Sequence, residues 1–208
     1  TLFPYTTLFR STGSQPWEPK NYDGQFDGPM SMRRALAKSK NMVSIRILQA
    51  ITPQYAQEWV TRFGFEAEKH PAYLTMALGA GSVTPLQMVS GYSVFANGGY
   101  RVNPMLITRI SDSKGRVLLQ SLPTPLDESA RAITPRNAFV MSQLMGEVAR
   151  SGTAAKVYQT FKRADLFGKT GTTNDSMDAW FAGYQPNLAA VVWIGYDNPR
   201  KLGDRETG

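Results

Sequence analysis

The chain has 208 residues, 42% hydrophobic and 19% charged, which is material for one packed domain and too apolar for a disordered segment. Its net charge of +7 points to anionic surroundings, yet no basic run is interleaved with aromatics, so no nucleic-acid partner is expected. Cysteine is absent, which excludes disulfide frameworks and Cys-based metal sites, and no apolar run approaches the length of a membrane-spanning helix.

In chain order, residues 31–38 read as a short helix whose basic cluster, Arg33, Arg34, Lys38 and Lys40, forms a solvated face. Residues 41–51 read as a second helix, with Val43, Ile47, Ala50 and Ile51 spaced as its buried stripe. Three Thr-Pro pairs, at Thr52, Thr84 and Thr134, mark helix starts, because proline at the first helical position gives up an amide that has no helical partner. The first of these segments ends at Gly64. The second has Gln87 placed for a capping box, an apolar face of Leu86, Val89, Tyr92 and Phe95, and a stop at Asn97-Gly98-Gly99. The third carries Ala138, Met141, Leu144, Met145 and Val148 on one face. Residues 106–112 and 116–121 predict a hairpin turned at Ser113-Lys114-Gly115, and 122–133 a surface loop. Strands are predicted over 166–173, 178–184 and 188–196. Helices first and an antiparallel meander last give an α+β class.

Several chemical motifs fail on inspection. Gly168-Lys169-Thr170 resembles the end of a phosphate-binding loop, but Arg163 stands where that motif needs glycine, and a strand follows rather than a helix. The single histidine, His70, reads as a solvated loop residue. No G-x-S-x-G and no cluster at metal-ligand spacing is present, and no cofactor is implied. Two short motifs remain: Ser39-Lys40-Asn41 at a helix junction, and Lys169-Thr170-Gly171-Thr172 on a strand. Each alone has an ordinary structural reading, a helix cap and a charged edge strand. In this order they fit a histidine-free acyl-transfer site of the S-x-x-K, S-x-N, K-T-G type. Ser39 can relay a proton to the leaving amine, Asn41 can orient the substrate's acyl amide, and Lys169 can supply positive potential and hold Ser39. Thr170 and Thr172 can receive a substrate carboxylate. Gly171 leaves room for an extended peptide, and the Thr172 N–H can serve as an oxyanion donor.

Four ordered blocks carry a resemblance: WEPKNYDGQFDGPMSMRRALAKSKN, ALGAGSVTPLQMVSGYSVFANGGYRV, GKTGTTNDSMDAWFAGY and VVWIGYDNPRKLGDRETG. Over residues 12–208 the chain resembles the transpeptidase domain of class A penicillin-binding proteins, the 1A type of Gram-negative bacteria. The resemblance implies a penicillin-binding-protein or serine β-lactamase-like fold, a five-stranded antiparallel sheet flanked by helices, here truncated at both ends. It implies cross-linking of peptidoglycan stem peptides ending in D-Ala-D-Ala through an acyl-serine, and acylation by β-lactams. It also implies an upstream glycosyltransferase domain and a membrane anchor on the periplasmic face of the inner membrane. Ser39 and Asn41 take the S-x-N roles; Lys169, Thr170, Gly171 and Thr172 take those of K-T-G-T.

One departure stands out. The family's S-x-x-K lies before the block that begins at Trp17, and residues 1–16 contain none. The one formal match, Ser111-Asp112-Ser113-Lys114, sits in the predicted hairpin turn and violates the family order. A polypeptide of these residues is therefore expected to be inactive. Residues 1–11, TLFPYTTLFRS, lack a signal-peptide layout and equal the translation of a common sequencing adapter, so they are expected to be an artefact fused to a partial gene. The family's C-terminal helical part is expected to be missing as well, leaving one face of the last strands incompletely covered. Two alternatives remain: a D,D-carboxypeptidase or β-lactamase of the same fold, and a non-catalytic peptidoglycan-binding module.

Overall fold

The structure is a computed structural model that describes residues 17–123, 125–203 and 208. Residues 1–11, the expected adapter translation, lie outside the described residues. The chain begins with α1 (Met32–Ala37), capped by the Ser31 side chain, and α2 (Asn41–Ile51). The Thr-Pro pairs then open α3 (Pro53–Val60), α4 (Pro85–Ala96) and, further on, α5 (Pro135–Ser151). Each threonine side chain accepts from a first-turn amide, and Thr84 with Gln87 closes a reciprocal capping box. Between α4 and α5 lies the hairpin of β1 (Arg109–Ser111) and β2 (Val117–Gln120). The short helix α6 (Ala155–Phe161) follows α5 and was not anticipated, because it has no cap signal.

The last third is an antiparallel sheet in the order β3 (Phe167–Thr172), β4 (Ala179–Gln185), β5 (Leu188–Ile194). Among the described residues it has three strands rather than five, since the β1–β2 ribbon pairs only with itself. The α+β class and the antiparallel sheet flanked by helices are those expected. α5 packs on β3 and α1, and α4 on β4 and β5. Tyr184, on β4, is the hub of that face. Its ring stacks on Phe95, tilts against Phe167 and meets Tyr92 edge-on, while its hydroxyl shares a 2.7 Å hydrogen bond with Ser142. Burial pushes the phenols of Tyr92 and Tyr184 up to about 12, so both stay neutral. The alternation of β5 sends Leu188, Val192 and Ile194 to the opposite face, where all three are exposed.

Packing corrects four expectations. In α2 the buried positions are Met42, Ile45 and Leu48; Val43 is half-buried, and Ile47, Ala50 and Ile51 are exposed. The helix is apolar on more than one side, and contact with the turn Leu74–Leu78 selects the side that is buried. In α4 Leu86 is exposed, and the buried positions are Gly91 and Val94. The segment 122–133 is not wholly a surface loop. Ala132 and Ile133 are buried, their amides donating to Gly99 O. Gly99 permits this approach: it has φ +112°, and a Cβ there would lie 2.2 Å from Ile133 O. Finally, His70 is not solvated. It is half-buried, edge-on to Phe65, with Nε2 buried.

The solvated basic face also loses a member. Arg33, Arg34 and Lys38 are exposed, but Lys40 is 3% exposed, with its Nζ 2.7 Å from both Asp23 Oδ2 and Asp27 Oδ2. The lysine bonds hold both carboxyls below the usual carboxylate range and raise the ammonium in turn. Carboxyls lowered in the folded state stabilise it above their unfolded pKa, and that contribution is lost as pH falls through the folded values. Lys40→Met should therefore lower the melting temperature at pH 7 by roughly 4 °C or more. The gap should shrink toward pH 3, as read by circular dichroism melts at both pH values. An equal gap at both would show that the aspartates are not the cause.

Candidate active site

From its capping serine α1 runs for only 6 residues, and the short helix then closes on itself. Ser39 N and Lys40 N donate to Leu36 O and Ala35 O, at 3.0 and 2.9 Å. Ser39 sits in this closing turn with φ 50°, a left-handed conformation that costs a non-glycine residue on the order of 1 kcal/mol. The turn is held from behind. Lys40 is anchored on Asp23 and Asp27, Asn21 Oδ1 accepts from Met42 N at 3.2 Å, and Asn41 Nδ2 donates to Lys20 O at 2.9 Å. The residues 17–27 thus brace the start of α2, and Ser39 is the member of Ser39-Lys40-Asn41 left to face the sheet.

Lys169, near the start of β3, meets it there. Its Nζ donates to Ser39 Oγ and, at 2.9 Å, to Thr170 O. Both acceptors are neutral, so burial dominates and pushes the ammonium pKa down to about 8. A lysine so placed changes protonation near neutral pH, and its proton can pass to and from the Ser39 hydroxyl along an existing hydrogen bond.

The rest of K-T-G-T is on the same strand. β3 is the edge of its sheet among the described residues, since it pairs only with β4. A Cβ built on Gly171 would meet only Trp180 Cβ, at 3.4 Å, an ordinary contact. The Thr172 hydroxyl is exposed and accepts from Gly208 N at 3.1 Å. The structure therefore unites Ser39 with Lys169 and sets Thr170, Gly171 and Thr172 along this edge strand, where Gly208 lies against Gly171 O and the Thr172 hydroxyl. Among the described residues the Asn41 side chain donates to Lys20 O, and no hydrogen bond joins it to Lys169 or Ser39. Ser111-Asp112-Ser113-Lys114 is a turn, its Asp112 carboxylate accepting from Lys114 N and Arg116 N at 3.0 and 2.9 Å.

Thr153 was not singled out from sequence. It lies just after α5, where nothing in SGTAAK marks it as chemical. Its N–H donates to Ala37 O at 3.0 Å, and its hydroxyl shares a 2.7 Å hydrogen bond with the Thr170 hydroxyl. The preceding Gly152 lies so close that a Cβ would sit 2.3 Å from Ala37 O. One short loop therefore ties the turn bearing Ser39 to the strand bearing Lys169. Thr153→Val keeps the shape and deletes the hydroxyl. It should slow acylation of the full-length protein by β-lactam roughly threefold to tenfold, with Thr153→Ser near wild type. Equal rates for all three proteins would leave the hydroxyl with no part in the site.

A family model of the penicillin binding protein transpeptidase domain matches residues 1–205. The chain belongs to the penicillin-binding protein transpeptidase family. Penicillin-binding protein 1A of Neisseria flavescens is 51% identical over 201 residues, covering 96% of this chain and 25% of the relative. The 1A protein of Pseudomonas aeruginosa is 37% identical, covering 92% and 29%. The crystal structure of penicillin-binding protein 1A from Haemophilus influenzae superposes with a TM-score of 0.91 at 33% identity, over 98% of this chain and 36% of that one. An imipenem acyl-enzyme of penicillin-binding protein A from M. tuberculosis shares the fold, with a TM-score of 0.73 at 20% identity, over 98% and 50%. The chain is thus a stretch of a class A, 1A-type penicillin-binding protein, spanning about a quarter of the length of the curated relatives it matches.

Proposed function

We propose that these residues form the substrate-facing core of a peptidoglycan D,D-transpeptidase, in which a serine attacks the D-Ala-D-Ala bond of a stem peptide. The serine oxygen bonds to the penultimate carbonyl carbon, and D-alanine leaves with a proton delivered to its nitrogen. An amine of a neighbouring stem then displaces the serine and loses a proton. The nucleophile and its lysine belong to an S-x-x-K segment that these 208 residues do not contain. Ser39 passes the proton toward the leaving amine, and Lys169 keeps Ser39 aligned and positive potential in the groove. Thr170 and Thr172 take the terminal carboxylate, Asn41 the acyl amide, and the Thr172 N–H part of the oxyanion. The intact protein carries its glycosyltransferase domain and anchor at the inner membrane, with this domain in the periplasm. The reading rests on one observation above all, the Lys169–Ser39 contact that joins the two motifs.

β-Lactams act on the same site by mimicking the scissile amide, as the imipenem acyl-enzyme of the mycobacterial relative supports. The test uses the full-length protein with a D-Ala-D-Ala peptide and an amine acceptor. Release of D-alanine together with a new amide bond is expected. Release with water as the only acceptor would reassign the protein to hydrolysis, as a D,D-carboxypeptidase or β-lactamase. Tight peptide binding without release would leave a binding module.

A further inference from the structure

Away from the Ser39–Lys169 contact, the turn after α3, the segment after α4 and the segment before α5 line an open pocket of about 420 Å³. Its walls include Arg62, Arg101, Arg131, Asn103 and Ser129. We propose that this pocket binds a phosphoryl dianion, as pyrophosphate or as a phosphate monoester.

Three features support it. First, each guanidinium lies against a flat support. Arg62 stacks on the Trp59 ring and Arg131 on the Tyr100 ring, each 4.1 Å from the centroid. Arg101 lies against Gly64, where a Cβ would approach its Nε to 3.1 Å. A stacked guanidinium keeps its N–H donors in the plane of the fork, free for oxygen ligands, and its order is established before the ligand arrives. Second, two of the three charges, those of Arg62 and Arg101, are unanswered among the described residues, and the third is answered on one side of its fork. Glu128 bonds Arg131 through Nε and Nη2 at 2.6 and 2.7 Å, and Asp127 is turned to Ser129. No ion pair to Arg62 or Arg101 occurs among the described residues, and Arg131 Nη1 is buried without a hydrogen-bond partner. Third, the remaining polar side chain of the wall, Asn103, offers an amide to phosphoryl oxygens. Converging like charges repel, and a doubly negative ligand relieves that repulsion while satisfying forked donors. The pocket exceeds a bare phosphate, which favours pyrophosphate or a phosphate carrying an organic group.

The test titrates the full-length protein with pyrophosphate, and separately with a soluble short-chain phosphatidic acid, at constant ionic strength. Saturable binding below millimolar concentration is expected, weakened roughly tenfold or more in Arg62→Gln/Arg101→Gln. Tighter binding of the lipid phosphate would name a head group as the source, and tighter binding of pyrophosphate a free anion. Penicillin labelling of the variant serves as its folding control. A second measurement needs no variant: saturating pyrophosphate should protect Arg62 and Arg101 from phenylglyoxal, read by peptide mass spectrometry. No saturation by roughly 10 mM, equal affinity in the variant, or unprotected arginines would overturn the proposal. Wild-type protein that fails to label with penicillin would count against the transpeptidase reading alone, since the titration is read independently.

Discussion

A polypeptide of these 208 residues, mixed with a fluorescent penicillin and run on a denaturing gel, should carry no covalent label. The full-length protein under the same conditions should label fully. The difference is on the order of a million-fold in acylation rate, because removing the attacking serine deletes the covalent route and leaves only binding and oxyanion contacts. Neither Ser39 nor Ser111, the serines that the short motifs offer, is expected to replace it. Ser39 is already the hydrogen-bond acceptor of Lys169 Nζ and stands in a strained turn. Ser111 lies in the β1–β2 ribbon, where Arg109 Nε donates to its hydroxyl at 3.2 Å, and Lys114 sits in the tight turn beyond. Robust labelling of the 208-residue chain, mapped to any serine by mass spectrometry, would sink both the expected inactivity and the assignment of Ser39 as a relay.

The second large effect concerns Lys169. Lys169→Met in the full-length protein should slow acylation by roughly 10²- to 10⁴-fold, the range for loss of a positioned proton-transfer or electrostatic group. The pH behaviour separates this role from a structural one. With a pKa near 8, Lys169 loses its charge as pH rises through 8, so wild-type acylation should fall there, and the variant should lack that limb. Stability should move the other way. The folded pKa lies below the ordinary 10.5, so between about pH 8 and 10.5 the unfolded chain holds a proton the folded chain has released. Stability then rises with pH across that window. Wild type should gain on Lys169→Met between pH 8 and 10.5 in denaturant unfolding. A constant difference would mean that burial does not depress this lysine.

Local physics was legible wherever it acts over a few residues. A threonine hydroxyl reaches an amide three positions on, proline gives up an amide that has no partner, and apolar–polar alternation spans single strands. Hence the starts of α3, α4 and α5 and the strands β3 to β5 lie within a residue or two of their expected places. Faces were less legible. In α2 the apolar side chains occupy two stripes, and only the neighbouring turn Leu74–Leu78 determines that Met42, Ile45 and Leu48 go inside. Lys40 looked like one more surface charge because its partners, Asp23 and Asp27, come from a segment with no regular period.

The sequence by itself determined the family, the order of the blocks and the residue types of the site: a serine and an asparagine two apart, and a K-T-G-T strand. Composition and spacing carry such information because propensity, capping and motif order are properties of neighbours along the chain. Only the tertiary structure decided that Lys169 reaches Ser39 across 130 positions, that both acceptors of its ammonium are neutral, and that Thr153 bridges the two walls. Those contacts follow from how α1, α5 and β3 pack together. Packing adds side-chain volumes and solvation from distant segments, and no local pattern encodes that sum.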